Sequence, residues 1–331
     1  MNKKPEPHKH HFIPQFILKN FADSEKQLYH WDNENKLLIK KSISEVFMEN
    51  DMYRDEKQNQ ENPTAIEERF SVFERRIAML IQNKIINESI IRITKKENEE
   101  LRIFLTLLSL RSKYRKEQYT NNNFDDETRK ELSNYQCDND FESLWKRELN
   151  LLVNIRNYDK IRKNTEIDFA IKTELLEDYD NYYMSFIETD DEHFLITDVN
   201  PTNEVFPLNP YCAMHYLFPL SPKRMLLLSR VEFSKQGDNG LNLLFKQYSK
   251  INPLLYETSG RTNDSSKENN AYEYEVKKCK KEDVIYINCL LLNEVRKEMA
   301  FLDSRSIKDS LQIYGKISNV KNNYEKLEKE I

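Results

Sequence analysis

The sequence predicts an α+β protein: a mainly helical N-terminal part carrying a β-hairpin, then a small antiparallel sheet and a further helix. Apolar residues recur at helical spacing in three stretches between Asn62 and Ile155. Short apolar runs bounded by turn residues take over after residue 180, and helical spacing returns at Asp283. The chain is 38% hydrophobic and 32% charged, but 17 Phe and 18 Tyr concentrate its apolar material in large side chains, enough for a folded core.

Pro14 suits the first turn of a helix, and Ile13, Ile17 and Phe21 follow at helical spacing, so His10 and His11 precede a short helix. Leu28–Trp31, the polar tip Asp32–Asn35 and Leu37–Ile39 read as a β-hairpin, with short strand or loop structure over Val46–Tyr53. Thr64 and Glu67 have capping-box spacing at the head of a helix whose apolar face runs from Ile66 through Phe70, Phe73 and Ile77. Thr94 and Glu97 open a second, apolar nearly all round from Ile103 to Leu110, with Arg111 and Arg115 continuing one face. A polar stretch, Asn121–Asp140, reads as a loop with a short helix. Phe141 to Ile155 forms a third long helix, and a short one is expected over Ile167–Tyr179.

Met184–Ile187 and Phe194–Thr197 flank the acidic turn Asp190–Glu192 as a second hairpin, and Phe218–Pro222 leads into a strand over Met225–Ser229. Gly237–Gly240 reads as a loop tip and Ser259–Asn270 as mobile. Asp283 is the expected cap of a last helix carrying Val284, Ile287, Leu291, Val295 and Met299, and Val320–Ile331 is expected to fray. The expected division is a hairpin and helical part, 1–180, and a sheet-plus-helix part, 181–331, packed as one compact unit.

Composition excludes several classes. Only four glycines are present, and no pair has the spacing of a phosphate-binding loop, a dinucleotide fingerprint or a nucleophile elbow. The net charge of -5 provides no global basic field for nucleic acid. No apolar run approaches the roughly 20 residues of a membrane span, and none follows Met1–Lys4 as in a signal peptide. Four cysteines without a C-x-x-C pair fit reduced thiols, so the expectation is a cytoplasmic protein without membrane contact.

His10-His11-Phe12-Ile13-Pro14-Gln15-Phe16 through Phe21 resembles the opening signature of a bacterial family, domain of unknown function 4238. Ile66–Glu74 is similar to that family's acidic helix, Leu105–Arg115 to its hydrophobic helix ending in arginines, and Phe194–Asp198 with Asn200-Pro201 to its strand end. Phe218–Pro222 and the helix around Asn288 complete a likeness covering residues 8 to 305. Val199 departs from the family's Asp-Asn-Pro run. The resemblance brings no established reaction with it.

The candidate catalytic residues are His10, His11, Glu67, Arg111 and Asp198, with Gln15, Arg115 and Asn200 as substrate-binding candidates. Histidine moves protons near neutral pH and can ligate a metal; the bland alternative is that one of the pair packs or caps the next helix. Glu67 and Glu74 share a helix face, where paired carboxylates can hold a divalent ion or act as base, unless Glu67 only completes the capping box. A buried Arg111 needs a partner, either Glu67, Glu74 or Asp198 in a structural ion pair, or a substrate phosphate or carboxylate. Asp198 is either a site residue at a strand end or a turn cap, and Ser221 is a turn hydroxyl. His-Phe-Ile-Pro is similar to a segment of ββα-metal nucleases, but a helix after Pro14 is out of place for that fold.

Two functions follow. In one the chain is a hydrolase, a nuclease or phosphodiesterase-like enzyme acting on nucleic acid or another phosphate-containing substrate with a divalent metal as an optional cofactor. The Lys/Asn/Ile-rich composition, typical of AT-rich bacterial or mobile-element genes, then suggests phage defence by abortive infection. In the other, the same residues form a structural polar network in a non-enzymatic sensor or partner-binding protein. A plain nucleic-acid binder has less support, given the charge.

Overall fold

The computed structural model describes residues 8–134, 140–155, 175, 181–207, 211–233, 260–262, 271–317 and 324–331. Gly237–Gly240 and Cys137 lie outside them, as do Ile167–Tyr179 apart from Leu175 and Ser259–Asn270 apart from 260–262. In chain order the elements begin β1 (Lys9–His11), α1 (Gln15–Leu18), β2 (Gln27–Asp32), β3 (Leu37–Ser42), β4 (Met48–Asn50), α2 (Ala65–Lys84) and β5 (Ile90–Thr94). Four helices follow: α3 (Lys95–Leu110), α4 (Lys113–Thr120), α5 (Asp126–Ser133) and α6 (Phe141–Val153). Then come β6 (Tyr183–Glu188), β7 (Ile196–Thr197), β8 (Thr202–Pro207), β9 (Tyr211–Ser221), β10 (Arg224–Phe233), β11 (Gly260–Thr262), β12 (Ala271–Glu275) and β13 (Lys277–Lys278). The chain closes with α7 (Lys281–Glu294), β14 (Glu298–Phe301), α8 (Lys308–Ile317) and α9 (Glu325–Glu330). The α+β class is the one the sequence predicts.

Two compact units interleave along the chain. Unit 1 comprises Met1–Pro14, Phe47–Ile81 and Lys96–Asn181; unit 2 comprises Gln15–Val46, Gln82–Lys95 and Tyr182–Ile331. Among its described residues unit 1 is helical apart from the antiparallel ribbon β1–β4, in which His10 faces Glu49 and His11 faces Met48. Phe47 bends the chain into β4 at a φ of 51°, a left-handed position unusual for a bulky residue. What holds it there is burial of its ring, edge-on to Phe12, and its carbonyl accepting from the Phe12 amide at 3.0 Å. From Ile103 to Leu110 every residue of α3 except Ser109 is buried. Trp145 on α6, fully buried, donates its indole N–H to the Leu110 carbonyl at 2.8 Å, tying α6 to the end of α3.

The helix expected to run on through Arg115 stops at Leu110. Ser112 then caps α4, its hydroxyl accepting from the Arg115 amide at 3.2 Å, so Arg111 and Arg115 do not share one continuous face.

Unit 2 contains three sheets among its described residues. A five-stranded one is ordered β13-β6-β10-β9-β8, a four-stranded one β3-β2-β14-β7 and a three-stranded one β11-β12-β5. All pairs are antiparallel except β13 with β6. The β2–β3 hairpin and β10 stand where the sequence placed strands, and β9, which it did not place, pairs with β10 as a hairpin. The hairpin expected around Asp190–Glu192 does not form: β6 pairs with β10, and β7 pairs with β14 in another sheet. The intervening residues clip the β9–β10 turn instead, with Thr189 N donating to Lys223 O at 3.0 Å and Phe194 N to Pro222 O at 2.8 Å.

Helix α7 also differs from expectation. Asp283 sits in its first turn, not at the cap, and accepts from the Lys280 amide at 3.0 Å. The helix ends at Glu294, and Met299, expected on its apolar face, lies buried in β14. Asn288 on α7 is fully buried. Its amide donates to His193 O at 2.8 Å and Ser310 Oγ at 3.1 Å, and its oxygen accepts from Leu195 N at 3.3 Å. The terminal residues, expected to fray, form α9 with Leu327 buried, and Tyr324 donates to Leu292 O at 2.6 Å.

Because the Ser112 hydroxyl caps α4, Ser112→Ala should lower stability by about 1 kcal/mol. Urea unfolding followed by circular dichroism checks this, and an unchanged midpoint would show that the cap does not set the break.

Candidate functional site

Four of the five candidate catalytic residues meet in unit 1. Arg111, 2% exposed, leaves the end of α3 and turns back on the strand β1. Its Nε donates to Phe12 O at 2.9 Å, one Nη to His11 O at 2.6 Å and the other to Glu74 Oε1 at 2.5 Å. The guanidinium also lies over the Phe70 ring at 4.9 Å and the Tyr53 ring at 6.0 Å, both favourable for a cation. Burial works against its charge, but Glu74, Tyr53 and Glu67 outweigh that and its pKa is raised. Of the three partners the sequence offered, Glu74 is the one that bonds it.

His10 is fully buried in β1. Its Nδ1 accepts from the Tyr53 amide at 2.9 Å, which places the ring proton on Nε2. The two rings stack at 5.4 Å and 3°. Tyr53 donates its hydroxyl to Arg111 O at 3.0 Å, so one residue joins the histidine strand to the arginine. Burial drives the Tyr53 phenol far above its ordinary pKa, so it acts only as a donor here. Glu67 lies about two helical turns before Glu74 on α2 and interacts with both Arg111 and Glu74 through charge. Burial pushes the Glu67 carboxyl up to about 7, Arg111 pulls it down, and Glu74 adds to the rise. The Thr64 hydroxyl, expected to form a capping box with Glu67, donates to Asn62 Oδ1 at 2.9 Å.

The remaining candidates lie elsewhere. Arg115 on α4 donates to Gln118 Oε1 at 2.7 Å, and Gln15 is exposed at the start of α1 in unit 2. His8 is exposed and meets Asp51 at 3.0 Å. Asp198 and Asn200 belong to unit 2. The Asp198 carboxylate accepts from the amides of Arg296 at 3.0 Å and Lys297 at 2.7 Å, where the chain turns from α7 into β14. Burial nevertheless pushes it up to about 6. Val199, the departure from the family pattern, lends its carbonyl to the hydroxyls of Thr197 and Thr202 at 2.8 and 2.7 Å. Asn200, buried, makes no side-chain hydrogen bond among the described residues.

Among the described residues no group of three or more His, Cys, Asp or Glu is placed to hold a metal ion, and no helix is long and apolar enough to cross a membrane. Cys212, Cys279 and Cys289 are free. Tyr53 is the member of the constellation that sequence reasoning missed: it acts through a main-chain amide and a ring face, neither of which leaves a spacing signal.

The chain is thus an α+β protein whose family-like opening strand is gripped by a buried guanidinium. Residues 9–305 match the family described as "Protein of unknown function (DUF4238)", and the chain belongs to that family. No curated protein and no solved structure matches it.

Two outcomes follow. Below about pH 4.5, Glu67 is protonated whether the chain is folded or not. Between about 4.5 and 7 the folded chain still holds the proton that the unfolded chain has released. Its contribution to stability is therefore present at low pH and lost as pH rises through about 7. Glu67→Gln should flatten that part of the stability–pH curve and raise stability near pH 8 by roughly 1–2 kcal/mol; an unaltered slope would refute the assignment. Asp198→Ala strands two amides and should cost roughly 2–3 kcal/mol in urea unfolding.

Proposed function

We propose that this is a non-enzymatic binding protein, a sensor or partner-binding module, in which His10, His11, Glu67, Arg111 and Asp198 are structural. The observation that supports this most is the bonding of Arg111: three of its N–H groups go to His11 O, Phe12 O and Glu74. A guanidinium that stabilises developing charge in a reaction must aim its donors at the reacting group. Here those donors meet the main chain and a carboxylate of the protein itself. His10 likewise commits Nδ1 to the Tyr53 amide, and Asp198 commits both oxygens to the amides of a turn.

One observation favours the hydrolytic reading, including its nuclease and phosphodiesterase-like forms. Glu67 is only partly buried, and with a pKa of about 7 it can take up and release a proton at neutral pH, as a general base must. On that reading, turnover rises with pH through about 7. The abortive-infection role rests on composition and stays tied to this second reading.

Arg111→Met tests the first reading. Removing one partner of a buried pair should cost about 3–5 kcal/mol, measured by urea unfolding. Incubation of the full chain with a chromogenic phosphodiester and Mg²⁺ or Mn²⁺ should give no turnover above that of Glu67→Gln. Turnover that disappears in Glu67→Gln while the melting temperature does not fall would overturn the binding-protein reading in favour of the hydrolase.

A further inference from the structure

Unit 2 holds a cavity of about 440 Å³ beside the β9–β10 turn, within the size range of small-molecule sites. Its walls are built, not incidental. The clips from Thr189 to Lys223 and from Phe194 to Pro222 hold the 189–194 segment against the turn, and Asn288 fixes His193 through its carbonyl. Ile86, Pro222 and Leu302 supply an apolar side.

The polar side is rich in donors. Arg224, 3% exposed, donates through one Nη to Glu88 O at 2.9 Å and through the other to Glu188 Oε2 at 2.8 Å. Its Nε, shut away from solvent, has no acceptor among the described residues. Burial pushes its pKa down against the charges of Glu188 and Glu88. Ser221 Oγ accepts from the amides of Lys223 at 3.2 Å and Arg224 at 3.0 Å, so its own O–H remains to donate. Lys223 is exposed at the rim, and its ammonium meets a carbonyl, Asp190 O at 3.2 Å, instead of a carboxylate. The two carboxylates lining the cavity already have cations: Glu188 has Arg224, and Asp190 has Lys278 at 3.0 Å. Among the described residues, Lys223 is the lining cation that meets no carboxylate.

We infer that this cavity binds a small organic anion, its carboxylate or phosphate held by Lys223 and Ser221, with the positive charge of Arg224 in the wall beside it, and a short apolar portion resting on Ile86, Pro222 and Leu302. The inference stands apart from the role of Arg111, which lies in the other unit, and holds whether or not the chain turns a substrate over.

Calorimetric titration of the full chain tests it, with phenyl phosphate and benzoate as probes and benzyl alcohol and benzylamine as their neutral and cationic counterparts. At least one anion should bind saturably at one per chain, and the two counterparts should not. Binding of phenyl phosphate alone assigns a phosphate ligand; binding of benzoate alone assigns a carboxylate. Lys223→Ala removes an exposed side chain, so the melting temperature should hold while the affinity falls by about tenfold, the loss of one charge-assisted contact. Ser221→Ala should weaken binding as well. Failure of both anions to bind, equal binding of the amine or alcohol, or an affinity unchanged in both variants would overturn the site.

Discussion

A buried guanidinium cannot lose its proton, so its surroundings must supply acceptors in the directions its N–H groups point. In unit 1 that requirement governs the arrangement around Arg111. The strand β1 must end where His11 and Phe12 offer two successive carbonyls to one side chain. Helix α2 must present Glu74 at the same place, and Phe70 must lie under the cation. Helix α3 must release the chain at Leu110 so that Arg111 can turn back, and the Ser112 cap starts the next helix at once. The opening His-His-Phe segment is therefore held by its main chain as much as by its side chains, with Tyr53 closing the loop between His10 and the Arg111 carbonyl.

The same device recurs in unit 2 with uncharged or singly charged groups. Asn288 and Asp198 each bond main-chain groups about ninety or a hundred residues away in sequence, one pinning His193–Leu195 and the other the turn into β14. A chain with four glycines has few residues that enter the left-handed region freely. Lys26, Lys36, Phe47, Asp51 and Asn122 occupy it here, and side-chain bonds such as those from Asp23 and Asp32 hold adjoining turns. Asp198 and Asn288 have main-chain bonds that account for their burial, so a buried Asp or Asn in this chain is weak evidence of chemistry.

That point weighs the two functional readings. His10, Arg111 and Asp198 are the residue types that catalysis uses, yet each has bonds that explain its burial without a substrate. The β9–β10 turn differs: Ser221 and Lys223 line open space and retain donors. A binding protein needs a shaped cavity with a few directional groups, and the second unit provides one without calling on the first.

Local pattern alone determined the α+β class, the long helices of unit 1, the β2–β3 hairpin and the need of Arg111 for a partner, with Glu74 among those named. Helical periodicity and turn residues act over a few positions, so they are legible in a single chain. Only the tertiary structure decided that β6 and β7 join different sheets, that the helix breaks at Arg111, that α7 stops short of Met299, and that Tyr53 joins His10 to Arg111. It also decided that Ser221 stands beside a cavity. Each of these depends on groups distant in sequence, on main-chain acceptors that any residue type supplies, or on empty volume. None of the three leaves a trace in the order of side chains.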